Sequence, residues 1–125
     1  MIIVYDSKTG NVERFIKKLS SDIRTVKITE GLRVTEPFIL ITYTTGFGAT
    51  PSSTEEFLVN NNSQLKGVCA SGNRNWGSKF GKSADNISQT YKIPIVHKFE
   101  LSGLPTDVEK IIQEVRMYEQ QVSNA

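Results

Sequence analysis

The residues of this chain that are best suited to binding a ligand are two hydroxyl residues and a glycine, which lie between a predicted strand and a predicted helix. Ser7, Thr9 and Gly10 follow the apolar run 2–5 and precede a helical pattern that begins at Val12. Backbone N–H groups at such a junction are free to donate, the hydroxyls add donors, and glycine lets the chain turn closely around a ligand. The stretch predicts a phosphate site, although several phosphate ligands would satisfy it.

Two further glycine-bearing loops, 43–51 and 72–77, each follow an apolar run. Phe47 and Trp76 lie on these loops and belong to no periodic apolar face, so we expect them to be exposed and able to stack on a planar ligand. The alternative is that both aromatic side chains fold inward and plug their loops. A phosphate site combined with two aromatic loops favours flavin mononucleotide (FMN).

Other kinds of site are poorly supported. Cys69 lies within a strand pattern, and the spacing from Cys69 to Arg74 is one residue shorter than a phosphatase loop requires. The run 77–83 has one residue too few between its glycines for a nucleotide P-loop. His97 is the only histidine and has no second ligand or triad partner beside it. We therefore expect a buried, inert thiol and a structural or surface histidine.

The elements that position these loops alternate between strand and helix patterns, which predicts a mostly parallel sheet covered on both faces. Loops that follow parallel strands meet at the carboxyl edge of such a sheet, where ligands bind. A capping box at Thr106 and Glu109 is expected to start the last helix, and 29–37 is too short for a crossover helix. The predicted strands are 2–5, 24–28, 38–42, 67–71 and 95–99; the other predicted helices start near Val12, Ser53 and Lys79.

Size and charge bound the class of protein. The 125 residues suit one domain, 1–125, with 118–125 as a mobile tail. The net charge is +2 and the basic residues are scattered, which argues against a nucleic-acid-binding stripe. No apolar run approaches the ~20 residues of a membrane span, and no signal-peptide pattern precedes the first strand. We expect a cytoplasmic protein.

The loop sequences resemble a known family. The run 7–11 is similar to the phosphate loop of flavodoxins, while 42–48, 70–77 and 99–103 resemble the NrdI family, the flavodoxin-like activators of class Ib ribonucleotide reductase. The resemblance covers essentially the whole chain, and Gly-Asn-Arg-Asn-Trp-Gly at 72–77 is its most specific motif. It implies an α/β, flavodoxin-like, doubly wound sheet of five parallel strands in the order 2-1-3-4-5.

The resemblance also implies a function. The protein would bind FMN, accept electrons from an unidentified donor and, when reduced, react with dioxygen. The oxidant, superoxide, would help to assemble the dimanganese-tyrosyl radical cofactor of the small subunit of class Ib ribonucleotide reductase. The protein would thus be an activator with oxygen-reducing activity, with its chemistry on the flavin, and would need no catalytic residue or metal site of its own. A plain electron-transfer flavodoxin and a flavin-free anion-binding module are the alternatives.

By position, the first loop would hold the phosphate and the other two the ring. The matching residues are Ser7, Lys8, Thr9, Gly10, Asn11, Val12, Thr44, Thr45, Gly46, Phe47, Gly48, Ser71, Gly72, Asn73, Trp76 and Gly77.

The charge and flexibility of the ring loops suggest two properties. No Asp or Glu lies in 43–51 or 72–82, whereas the second segment contains Arg74, Lys79 and Lys82. Because cations favour an anionic reduced flavin, we expect full reduction to be easier than in acidic carriers. Glycine also tolerates peptide rotation, so we expect the backbone at 46–47 to reorient between oxidised and reduced forms.

Overall fold

The computed structural model describes residues 1–123. Its five strands are all parallel and lie in the order β2-β1-β3-β4-β5, which confirms the predicted doubly wound sheet. No helix within the described range has the length and apolar character needed to cross a membrane. The strands are β1 (Ile2–Tyr5), β2 (Thr25–Lys27), β3 (Phe38–Tyr43), β4 (Leu65–Gly72) and β5 (Ile95–Glu100). The α-helices are α1 (Asn11–Ile16), α2 (Ser52–Asn61), α3 (Lys82–Tyr91) and α4 (Pro105–Ser123), and short 3-10 helices span Asn62–Gln64 and Arg74–Lys79.

The core consists of two apolar layers, one on each face of the sheet. Successive residues of β3 point to opposite layers, as the two-residue period of a strand requires: Ile39 and Ile41 face α1 and α4, while Leu40 faces α2 and α3. In the first layer, the rings of Phe15 on α1 and Phe99 on β5 stack with centroids 4.1 Å apart. Burial of each such side chain stabilises the fold by about 1.5–3 kcal/mol.

Two connections bear on the predicted helices: the segment 29–37 and the residues that precede α3. The connection 29–37 contains no helix, as expected. The third helix begins at Lys82 and not near Lys79, so its predicted start was wrong. Residues 74–79 instead form 3-10 turns that break at Gly77 (φ 58°, ψ −122°), and Gly81 precedes α3 in the left-handed region. These two backbone states interrupt the helix.

The start of α4 also differs from the prediction. The helix begins at Pro105, and the Asp107 carboxylate accepts the Leu104 N–H at 2.7 Å, so Thr106 lies inside the helix and its predicted capping box was wrong. Proline at the first helical position removes a donor that would have no partner there. The segment 118–125, expected to be a mobile tail, continues α4 through residue 123, and 124–125 lie outside the described residues.

Candidate functional site

A cleft of about 320 Å³ opens at the carboxyl ends of β1, β3 and β4. It lies where the chain order of the strands reverses, the usual ligand position in such sheets. All three predicted loops contribute to it. The lining residues are Ser7, Lys8, Thr9, Asn11, Val12, Tyr43, Thr44, Thr45, Ser71, Gly72, Asn73, Trp76 and Leu101.

Not every predicted residue lines this cleft. Gly10, the segment 46–48 and Gly77 are not among its lining residues, whereas Tyr43 and Leu101 are lining residues that sequence reasoning missed. A larger cavity of about 540 Å³ lies beside 28–33 and α2, and no predicted site residue lines it. We place the candidate site in the smaller cleft because the predicted loops converge there.

The first loop presents unpaired donors to the cleft. Gly10 adopts φ 93°, a left-handed conformation that turns the chain into α1. Among the described residues, no backbone N–H of 7–12 donates to a protein acceptor. The Ser7 hydroxyl oxygen accepts the Glu13 N–H at 3.2 Å, which leaves the hydroxyl proton available to a ligand. Because α1 has only six residues, these discrete donors matter more than a helix dipole.

The Asp6 carboxylate, at the base of this loop, is turned away from the cleft. It is buried and accepts hydrogen bonds from Ser53 at 2.5 Å and Thr54 at 2.7 Å, which join β1 to the start of α2. Burial and then the Asp6 charge raise the pKa of the Tyr43 phenol, although a hydrogen bond with Ser53 opposes them. Tyr43 therefore remains protonated at neutral pH and able to donate.

The second loop is closed at its base and open at its tip. The Thr45 N–H donates to the Ala49 carbonyl at 2.9 Å, and the Ala49 N–H donates to the Thr45 carbonyl at 2.8 Å. Gly46 and Gly48 have φ values of 51° and 101°. Phe47, between them, is 90% exposed, and the Lys79 ammonium lies 5.4 Å from its ring centroid. The expected exposure of Phe47 is confirmed, and its stacking role stays a prediction.

The third loop lies close to the backbone that precedes α3. A Cβ at Gly72 would be 2.7 Å from the Gly81 nitrogen, so only glycine fits this approach. Trp76 is 41% exposed and lines the cleft, so it does not fold inward as a buried plug.

A carboxylate from β5 changes the charge argument for this loop. The Arg74 N–H donates to Glu100 at 3.0 Å, and the Arg74 Nε lies 4.0 Å from the same carboxylate. The Arg74 guanidinium also covers the Phe80 ring at 4.7 Å. Although the loop segments contain no acidic residue, a partner distant in sequence offsets Arg74. Within the described part of the chain, Lys79 and Lys82 form no ion pair and remain available.

Cys69 and His97, the cysteine and the histidine of the chain, both lie outside the three loops. Cys69 is fully buried, and burial raises the pKa of its thiol. His97 Nε2 lies 2.7 Å from Asp107 Oδ1, so it joins β5 to α4 and does not line the cleft. The expected burial of Cys69 is confirmed, whereas the inertness of its thiol stays a prediction. The Asp107 contact favours the predicted structural role of His97.

Comparisons with known proteins agree with this arrangement. Residues 3–113 match the family model described as NrdI flavodoxin-like. The chain is 57% identical to Protein NrdI of Bacillus licheniformis, over 90% of this chain and 86% of the relative. It is 44% identical to the SPbeta prophage-derived protein NrdI of Bacillus subtilis, over 92% of this chain and 91% of the relative.

A solved short-chain flavodoxin associated with a non-canonical PDU bacterial microcompartment has the same fold. It superposes with a TM-score of 0.65 at 20% identity, covering 88% of this chain and 91% of that one. The matches to the family model and to its curated relatives extend over most of the chain. The chain belongs to the NrdI flavodoxin-like family.

Proposed function

We propose that the cleft binds FMN and that the reduced protein activates the small, dimetal subunit of class Ib ribonucleotide reductase. The observation that supports FMN most directly is the row of unpaired N–H donors at 7–12, in the same cleft as the exposed face of Trp76. Unpaired donors suit a phosphate, while a large aromatic side chain suits a planar ring. A volume of about 320 Å³ lies within the usual range of small-ligand sites.

The residues divide by chemistry along the cleft. The backbone donors and the hydroxyls of Ser7 and Thr9 would hold the phosphate, and the Lys8 charge would favour it. The ring end would be formed by residues of the second and third loops: Thr44, Thr45, Gly46, Phe47, Gly48, Ser71, Gly72, Asn73, Trp76 and Gly77. Gly10, Asn11 and Val12 complete the phosphate end.

When bound and reduced, FMN would supply electrons to dioxygen, and the superoxide formed would serve assembly of the partner's dimanganese-tyrosyl radical cofactor. Family membership supports this reaction. The role of the chain itself is to hold the ring beside the cationic side chains of Lys79 and Lys82 and to present an open rim. Exposed Phe47 at that rim offers apolar surface to the partner subunit.

The proposal is tested in two stages. The purified protein should be yellow and should release FMN on heating; a colourless protein that takes up no FMN would leave only a flavin-free anion-binding role. A manganese-loaded small subunit is then exposed to air with or without the reduced protein, and the tyrosyl radical is measured by electron paramagnetic resonance. Reduced free FMN is the matched control. No gain in radical over this control would favour a plain electron carrier.

A further inference from the structure

Leu101 has a backbone conformation that its residue type disfavours. Only two residues other than glycine, Lys92 and Leu101, have positive φ within the described chain. Lys92 has an ordinary explanation, because it follows α3 and its N–H closes the helix end on Ser88. Leu101 has φ 52° at a tight turn after β5, where no helix ends. A bulky side chain at positive φ is a genuine outlier.

Hydrogen bonds to β4 hold Leu101 in this state. Its N–H donates to the Gly72 carbonyl at 3.0 Å, and its carbonyl accepts the Ser71 hydroxyl at 2.6 Å. The turn is closed by the Gly103 N–H, which donates to the Glu100 carbonyl at 2.8 Å. Turns with positive φ at the first central residue normally have Gly, Asn or Asp there. A leucine at this position therefore keeps a strained backbone that glycine would relieve.

The Leu101 side chain belongs to neither apolar layer of the core and caps no helix. It is 49% exposed and lines the cleft where the first and third loops meet. The adjacent Ser102 hydroxyl donates to Asn11 of the first loop at 3.1 Å, so the turn bridges the two ends of the cleft. Trp76, which is 41% exposed, also lines the cleft. A strained backbone that places an apolar side chain in this cleft is explained if a bound ligand covers that side chain.

We infer that Leu101 is a ligand-contacting residue whose strained turn presents an apolar wall to the planar ring of the bound cofactor. The inference rests on the proposed FMN binding. The polar donors lie at the phosphate end, so the ring is the part of the ligand that an apolar wall suits. Strain at a binding residue persists when the surrounding structure enforces it, and here two hydrogen bonds to β4 do so.

Two substitutions separate the contact from the strain. Leu101→Ala removes the side chain and keeps an L-residue at positive φ, whereas Leu101→Gly removes the side chain and relieves the strain. Leu104→Ala is the matched control, because Leu104 is 66% exposed, lies three residues away and does not line the cleft. Apoprotein is titrated with FMN by fluorescence quenching, and its thermal midpoint is measured without ligand.

Both Leu101 variants should bind FMN about tenfold more weakly, since the lost side chain buries apolar area against the ring. The Leu104 variant should bind FMN as the wild type does. The apoprotein of Leu101→Gly should melt a few degrees above that of Leu101→Ala. Unchanged FMN affinity in both Leu101 variants would overturn the inference alone. A wild-type protein that takes up no FMN would overturn the proposed function, and the inference with it.

Discussion

The side-chain amide of Asn86 on α3 donates to the carbonyl of Gly48 at 3.1 Å. Three residues earlier on the same helix, the Ser83 hydroxyl lies 2.9 Å from the Thr44 hydroxyl. One face of α3 therefore fixes both ends of the second cleft loop. Among the described residues, the backbone groups of 46–47 make no hydrogen bond within the protein. The freedom of the loop is confined to its tip.

Removing the Asn86 amide should loosen the loop without unfolding the domain. Asn86→Ala is expected to reduce the free energy of unfolding by about 1 kcal/mol, the usual net value of a hydrogen bond. Amide hydrogen exchange at Gly48 and Ala49 should become faster. Gln89→Ala, at an exposed position of the same helix, is the control. Equal exchange rates in wild type and Asn86→Ala would show that the anchor has no effect.

The tip of this loop should change conformation with the redox state of bound FMN. Gly46 has φ 51°, and a Cβ placed on it would meet no atom within 4 Å, so this side of the loop is open. Glycine also tolerates the backbone angles that rotation of the 46–47 peptide requires. The rotation would turn a carbonyl towards the ring nitrogen that gains a proton on reduction. Crystals of the oxidised and reduced protein should differ at 46–47 and agree at the anchored ends. Identical loops in both would contradict the prediction.

Lys79 and Lys82, whose side chains lie against Gly48 of the second loop, should raise the reduction potential of bound FMN. Lys79→Glu and Lys82→Glu are each expected to lower the two-electron potential, by on the order of 20–40 mV at low salt. Arg74→Gln should have a smaller effect because it changes the local charge by one unit, whereas each lysine reversal changes it by two. Lys17→Glu is the control, because Lys17 lies at the C-terminal end of α1, whereas the first loop precedes its N-terminal end.

The measurement for these variants is a spectroscopic redox titration at two ionic strengths. Added salt should shrink the shifts, since exposed charges are screened. Equal reduction potentials in the wild type and in both lysine variants would contradict the prediction that these charges stabilise the reduced flavin.

Asp107 should make stability depend on pH in the acid range. Burial alone would raise the pKa of Asp107, but hydrogen bonds from His97 and the Leu104 N–H, with the His97 and Arg74 charges, lower it below its ordinary value. Because the folded pKa is depressed, the stabilisation is complete above the unfolded pKa of about 4 and is lost as pH falls through the folded pKa.

Asp107→Asn should cost about 2 kcal/mol at pH 7, and this difference from wild type should disappear as pH falls below 4. Urea unfolding from neutral to acid pH measures both proteins, with exposed Glu109→Gln of the same helix as the control. A difference that stays constant with pH would mean that the carboxylate charge contributes nothing.

The sequence by itself determined the architecture and the place where the candidate loops converge. Apolar runs such as 38–42 bury both of their faces, and the patterns between them have helical periods, so a parallel sheet follows from local signals. The loops at 6–11, 43–51 and 72–77 follow strands, and parallel strands bring such loops to one edge. The positions of these three loops at one edge of the sheet were therefore predictable.

Only the tertiary structure decided which groups meet at that edge. Glu100 offsets the Arg74 charge, and the Asp6 carboxylate accepts hydrogen bonds from two hydroxyls in the first turn of α2. These contacts join residues far apart in the chain, and no local spacing encodes them. Leu101 enters the cleft because bonds from β4 enforce a backbone conformation that its residue type disfavours. Local sequence reports periodicity and turn preference, whereas pairing across strands depends on register, which is a property of the assembled sheet.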